Sequence, residues 1–381
     1  MIIGIICEYN PFHNGHLYHL KKIKEMYKDS TIILVMSGNY TQRGDLSIID
    51  KWDKTDIALE YGVDMVIELP FIYASQSADI FSYGAIKILK EMKVDILVFG
   101  SELGDIDILN KLASIQVFNK NYDNLVKDYI KKGFNYPTAC GMALYDITGI
   151  NINTPNDVLG LCYIKEIIKQ NANIKPICIK RTNNYNDTNL NNKITSARSI
   201  RIALKENKNI KEYIPDLVYK NLNIRYLDDY YIFIKYKILT TDISNIVGMN
   251  KELNIRINKY IYKCDNLEEL INNIKSKNYS YNRIKRLMVH ILVNFTLDDV
   301  NNFKDYIRIL GFNNKGQIYL NKIKKDIKLP IITNYSNSNG LLDLDKKINN
   351  VLSLNLPLNK QNEVIKSEYQ EKIRITIDNK E

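Results

Sequence analysis

Five short apolar runs set the rhythm of the first half of the chain: Ile2–Cys7, then residues 32–36, 65–70, 95–99 and 176–179. They are continuous rather than alternating and rich in Ile and Val, the pattern of strands covered on both faces. Between them the apolar positions fall at helical spacing. Residues 50–61 carry Trp52, Ile57, Ala58 and Tyr61 and stop at Gly62. Residues 77–92 and much of 105–145 read the same way, and 156–168 follow a helix start at Thr154-Pro155-Asn156. Strand and helix alternating in this manner predict an α/β fold with a doubly wound parallel sheet. In such sheets ligands bind beyond the carboxyl ends of the strands, the edge to which His13, Gly38, Gly100 and Arg181 are assigned.

After residue 206 the pattern turns helical, with segments at 215–222, 228–239, 250–262, 267–275 and 281–294. Two strand-like patches, 329–332 and 373–377, suggest a small α/β end. The expected division is an α/β domain over 1–206 and a mainly helical basic domain over 207–381.

Composition narrows the class. With 45% apolar residues the chain suits a globular protein. No apolar run approaches the roughly 20 residues that span a bilayer, so no membrane role is expected. The N-terminus lacks the basic start of a secretion signal. Cys7, Cys140, Cys162, Cys178 and Cys264 are odd in number and form no CxxC pair, which points to a reducing cytoplasm without a disulfide framework or zinc knuckle. The net charge of +10 is uneven: residues 1–204 carry +1, residues 205–328 carry +9 and the remainder is neutral. A basic helical segment fits an RNA surface; a solvated lysine-rich face fits the same numbers.

The chemistry concentrates after the first run. Glu8-Tyr9-Asn10-Pro11 breaks the strand, and His13-Asn14-Gly15-His16 leads into a helix with Leu17 and Leu20 on one side. A strand, a tight turn and a helix start give a phosphate site, since backbone N–H groups and the positive helix end face the ligand. Two imidazoles there can donate to oxygens that gain charge. An Asn-rich stretch, 182–192, reads as a flexible loop. It leads to Thr195-Ser196-Ala197-Arg198-Ser199-Ile200-Arg201, whose hydroxyls and arginines suit phosphates, or equally an ordinary N-cap with a surface arginine. His13, His16 and His19 stand at three-residue spacing, but no Cys, Asp or Glu cluster completes a metal site, so no protein-bound metal is expected. Cys7 reads as buried and inert, Trp52 as helix packing and His290 as structural, while Glu8 either contacts substrate or caps the turn.

The stretch from Glu8 to Leu17, with Ser37-Gly38, Gln42-Arg43-Gly44, Ile67-Glu68-Leu69-Pro70, Phe99-Gly100-Ser101-Glu102, Pro155 to Gly160 and Thr195 to Arg201, resembles the bacterial tRNA(Met) cytidine acetate ligase family of the HIGH-superfamily nucleotidyltransferases. The match covers about the first 200 residues in order. Beyond them only the basic, helical character agrees. The resemblance implies that ATP and acetate give acetyl-adenylate and pyrophosphate, and that the acetyl group passes to the wobble cytidine of elongator tRNA(Met) as N4-acetylcytidine. It assigns ATP binding to Ile6, Cys7, Glu8, Tyr9, Asn10, Pro11, Phe12, His13, Asn14, Gly15, His16, Leu17, Tyr18 and His19, with Gly100, Asn156 and Arg181. On that reading His13 and His16 stabilise the developing charge as imidazolium, and Ser196, Ser199 and Arg201 hold the tail of ATP, with Arg43 or Lys51 as further candidates. Magnesium would shield the pyrophosphate. The competing readings are an adenylyltransferase on a mononucleotide or phosphopantetheine, and a non-catalytic RNA-binding protein. Neither predicts acetate dependence.

Overall fold

The computed structural model describes residues 1–181, 194–370 and 373–376. The five expected strands form as β1 (Ile2–Cys7), β2 (Thr31–Ser37), β3 (Met65–Leu69), β4 (Ile96–Ser101) and β5 (Lys175–Lys180). The second half adds β6 (Ile307–Asn313), β7 (Ile331–Ile332) and β8 (Arg374–Thr376). The sheet runs β5-β4-β1-β2-β3-β6-β7, with β8 also paired to β6. β1 to β5 pair in parallel, as the continuous apolar runs predict. The order reverses at β1, with β2 and β3 to one side and β4 and β5 to the other. That switch point opens a crevice at the carboxyl ends of β1 and β4.

Both faces of the sheet are covered, which makes the fold doubly wound. Ile6, Val35, Ile67, Leu97 and Phe99 belong to a core shared with helices Ala78–Glu91 and Pro155–Lys169. The alternate strand residues Ile5, Leu34, Met36 and Val98 belong to a core shared with helices Asn14–Met26, Lys51–Glu60 and Ala197–Lys205. A separate core, with Ile234, Leu253, Ile257, Leu270 and Met288, joins helices Tyr231–Thr240, Lys251–Tyr260, Leu267–Ile274 and Tyr281–Leu292. These are the helices expected in the second half, with ends displaced by a few residues.

β6 is the strand that apolar patterning did not predict, as helices Asn314–Ile323, Asp343–Ser353 and Leu358–Gln370 are helices it did not. It enters the sheet from beyond residue 206, antiparallel to β3, with Arg308 directly opposite Glu68. Arg308 Nη1 lies 3.1 Å from Glu68 and 2.5 Å from Glu368. Lys51 Nζ lies 3.1 Å from Glu68 and 2.7 Å from Glu368. All four side chains are buried, and together they fasten helix Leu358–Gln370 to the sheet. Of the two strand-like tail patches, 329–332 yields β7. The other, 373–377, yields β8, with Ile377 outside the described residues, as is the stretch 182–192. No helix among the described residues is long and apolar enough to cross a membrane.

Candidate active site

A cavity of about 230 Å³ lies over the carboxyl ends of β1, β4 and β5, where Cys7, Glu8, Gly100, Lys180 and Arg181 line it. Helix Asn14–Met26 begins at this cavity, and its N-cap is His13. His13 Nδ1 accepts from the Gly15 N–H at 3.0 Å, and His16 Nδ1 accepts from the His13 N–H at 3.3 Å. Histidine thus takes both places of a capping box usually filled by Ser or Thr and Glu. Gly15 is needed for this: a Cβ there would lie 2.7 Å from His13 Cε1. The chemical consequence follows from proton counting. With each Nδ1 an acceptor, the proton of each neutral ring sits on Nε2. The rings stack at 3.9 Å between centroids, and both line the cavity.

Burial, then the charges of Arg181 and Arg201, pushes His13 down to about 3. Burial, with His13 and Arg181 as neighbours, holds His16 well below its usual range. The imidazolium expected from sequence is therefore corrected: the resting site presents two neutral rings, each an Nε2–H donor. His19 lines the same wall and is pushed to about 4 by burial and Arg181.

A second helix N-terminus meets the cavity from the other side. Ser196 caps helix Ala197–Lys205 by accepting from the Ser199 N–H at 3.1 Å, and Ser196, Ala197, Arg198 and Arg201 line the cavity. Ser199 does not. It is buried behind Ser196, their hydroxyls 2.8 Å apart, so its role is in the cap. Among the described residues the lining holds the cations of Arg43, Lys180, Arg181, Arg198 and Arg201 against the carboxylate of Glu8. Two helix N-termini and this charge make a polyanion site.

Of the expected ATP stretch, Ile6, Cys7, Glu8, Tyr9, Asn10, His13, Gly15, His16, Tyr18 and His19 line the cavity. Pro11, Phe12, Asn14 and Leu17 do not. Phe12 is buried and stacked on Tyr61, Asn14 donates to Tyr213 and Glu212 carbonyls at 3.0 and 2.9 Å, and Leu17 packs into the core. Lys51 is likewise corrected, since it is consumed by Glu68 and Glu368. Burial, then Glu8, raises the Cys7 thiol to about 12, so it is inert. Trp52 is core, and His290 is buried between the Ser75 and Val247 carbonyls at 2.7 and 2.9 Å. No group of three or more metal-ligating side chains exists among the described residues.

Asn156 and Arg181 converge on Glu102, which accepts from Asn156 Nδ2 at 2.5 Å and lies 3.9 Å from Arg181 Nε, while Gly100 lies against the Arg181 side chain. Asp157, which the sequence reading passed over, holds them in place. Buried, it accepts from the Ser101 and Thr154 hydroxyls and from the Leu103 N–H at 3.1 Å. Lys54, also passed over, is wholly buried and donates to the Ser37 and Gly38 carbonyls at 2.7 Å and to that of Glu8 at 3.1 Å, tying the ends of β1 and β2. Arg201 Nη1 donates to the Asn10 carbonyl at 2.5 Å. Also lining the cavity, and unforeseen, are Gln42, Phe81, Phe99, Leu159 and Tyr163.

The loop carrying Gln42 and Arg43 reaches from the cavity to helix Tyr281–Leu292. Arg286 Nη1 donates to the Gln42 carbonyl at 3.2 Å, and Lys285 pairs with Asp45. Gly44, at φ +76°, fits so closely that a Cβ would lie 2.6 Å from the Arg286 nitrogen.

Comparison with known proteins adds the following. The family model described as HIGH Nucleotidyl Transferase matches residues 1–368. A tRNA(Met) cytidine acetate ligase from Caldicellulosiruptor bescii is 40% identical over 343 residues, which is 86% of each chain. The crystal structure of apo Thermotoga maritima TmcAL superposes with a TM-score of 0.91 at 30% identity over 99% of both chains. The same protein bound with alpha-thio ATP gives a TM-score of 0.88 at 29% identity and the same coverage.

Proposed function

The chain belongs to the HIGH nucleotidyltransferase family and, within it, to the tRNA(Met) cytidine acetate ligases, and from that membership we propose that it uses ATP to join acetate to the wobble cytidine of elongator tRNA(Met). The observation that carries the proposal for the site is the pair of neutral histidines whose Nε2–H donors line a cavity ringed by arginines. In the first step an acetate oxygen forms a bond to the α-phosphorus of ATP and the bond to the β-phosphate oxygen breaks. Acetyl-adenylate forms and pyrophosphate leaves. His13 and His16 donate to the phosphoryl oxygens as charge builds on them, and because the donors are already in place they cost no reorganisation. Arg198, Arg201 and the start of helix Ala197–Lys205 hold the departing pyrophosphate, while Gly100, Asn156 and Arg181 take the nucleoside end. In the second step the exocyclic amine of the cytidine attacks the acetyl carbonyl, AMP leaves and the amine loses a proton.

Magnesium arrives with the nucleotide rather than in a protein cage, because among the described residues the lining offers one carboxylate and several cations. The basic helices of the second half bind the tRNA, and the enzyme works in the cytoplasm. The test is exchange of labelled pyrophosphate into ATP. Exchange that requires acetate is the expected result, followed by N4-acetylation of tRNA(Met). Exchange that appears only when a mononucleotide or phosphopantetheine replaces acetate would support a small-molecule adenylyltransferase instead, and nucleotide binding without exchange under either condition would sink the catalytic reading.

A further inference from the structure

The cavity has two chemically different ends. The cationic end has been described. The other lies on the opposite face of the sheet, between helices Ala78–Glu91 and Pro155–Lys169, and is walled by Ile6, Phe81, Phe99, Leu159 and Tyr163. Leu159 and Tyr163 follow Asn156 at three and seven residues, so one stripe of a single helix runs from the nucleotide groups into this apolar end. Its walls are fixed. A Cβ at Gly160 would lie 2.3 Å from Phe99 Cε2, so the ring is lodged against the bare helix backbone, and Phe99 meets Tyr163 edge-on at 5.8 Å. Phe81, Phe99 and Tyr163 are each at most 5% exposed.

Tyr163 is the one polar group among these walls. Its ring is buried, yet its hydroxyl has no hydrogen-bond partner among the described residues. A hydroxyl that reaches a cavity wall without a protein partner is available to donate to a group bound there. Burial, then the neighbouring Cys7 and Glu8, holds its acidity well down, so it stays a neutral donor.

We propose that this apolar end is the acyl pocket, with Phe81 and Phe99 enclosing the methyl group of acetate and the Tyr163 hydroxyl donating to its carboxylate. The inference rests on the reading of the site as one that adenylates an acid. The polarity of the cavity then orients the substrate. The methyl group is drawn to the rings, and the carboxylate faces the arginines and the α-phosphate. An apolar pocket of fixed walls discriminates by size, and one methylene is worth roughly 10- to 200-fold in such pockets.

The test compares wild type with Tyr163→Phe and Phe81→Ala in acetate-dependent pyrophosphate exchange, with ATP affinity measured separately on each. Tyr163→Phe keeps the ring and its packing, so it should raise KM for acetate about tenfold and leave the Kd for ATP unchanged. Phe81→Ala should raise the propionate-to-acetate ratio of kcat/KM by tenfold or more. If both variants bind ATP normally and keep wild-type acetate KM and acid selectivity, the pocket assignment is wrong. If instead ATP affinity falls and acetate KM does not, the apolar end takes the adenine, and the assignment is equally wrong. Wild type that shows no acetate dependence at all would sink the underlying reading rather than the pocket. The melting temperature serves as the measure of folding, and a Phe81 variant that did not fold would leave Tyr163→Phe to decide.

Discussion

His13 caps a helix with Nδ1 and serves the cavity with Nε2, and the two roles can be separated. Serine is a strong N-cap but offers no donor that far from the backbone. His13→Ser should therefore leave the urea unfolding midpoint at pH 7.5 nearly unchanged while lowering kcat for exchange by about 10²- to 10³-fold. The same substitution has a pH signature. In the unfolded chain the ring takes up a proton near pH 6.5, whereas in the folded protein it resists to about 3. Stability from this group is thus fully present above pH 6.5 and falls as pH drops towards 3, by about 1.4 kcal/mol per pH unit. His13→Ser should flatten the loss of stability between pH 6 and 4 by that slope, measured by urea titration. An unchanged slope would mean that His13 is not buried neutral. The motif was legible as chemistry because a strand, a turn and two histidines leave few other readings. Its charge state was not, because that depends on which nitrogen meets the backbone and on arginines brought from residues 181 and 201.

Helix Leu358–Gln370 is held by charge at its far end. Burial opposes ionisation of Glu368, but Arg308 and Lys51 outweigh it and keep the carboxyl below its usual range. Replacing Glu368 with Ala would leave two buried cations without the carboxylate that pairs with both, facing only Glu68 and the more distant Asp345, a loss of about 3–5 kcal/mol by comparison with other broken buried pairs. Glu363, exposed on the same helix and paired with Lys360, should cost less than about 0.5 kcal/mol when changed to Ala. Differential scanning calorimetry of the two variants checks the contrast, and similar melting shifts would refute it. The buried ion cluster also explains which elements could be read from sequence. β1 to β5 announce themselves as apolar runs. β6 contains Arg308 and Gly311 and looks like neither strand nor core until Glu68 and Glu368 are placed beside it. Tyr163 escaped for the converse reason: a tyrosine at helical spacing looks like packing, and only the cavity shows that its hydroxyl is unpaired.

Across the molecule, charge and chemistry are divided but joined. Residues 1–204 are nearly neutral overall yet line the cavity with arginines, while residues 205–328 carry the excess of +9. Lys259 and Lys263, exposed at the end of helix Lys251–Tyr260 and just beyond it, test the expected tRNA surface. Reversing both to Glu should weaken tRNA binding and reduce the slope of log K against log[salt] by about one per phosphate contact removed. Acetate-dependent exchange without tRNA should be unaffected. Binding that keeps its wild-type salt slope would remove this helix from the RNA surface. The loop from Gln42 to Asp45, pressed against Arg286, joins the cavity to the helices of the second half.

The ion cluster that anchors helix Leu358–Gln370 also bears on how the enzyme is made. Lys51 and Glu368 are 317 residues apart, so on the ribosome Lys51 and Glu68 emerge long before their partners Arg308 and Glu368 are made. The nascent first half holds every histidine of the site but has β3 as a bare edge and a lysine with one counterion. The β3 edge is therefore closed late, when β6 and the anchoring helix arrive, and a chain stalled before residue 307 should depend on chaperones to shield that edge.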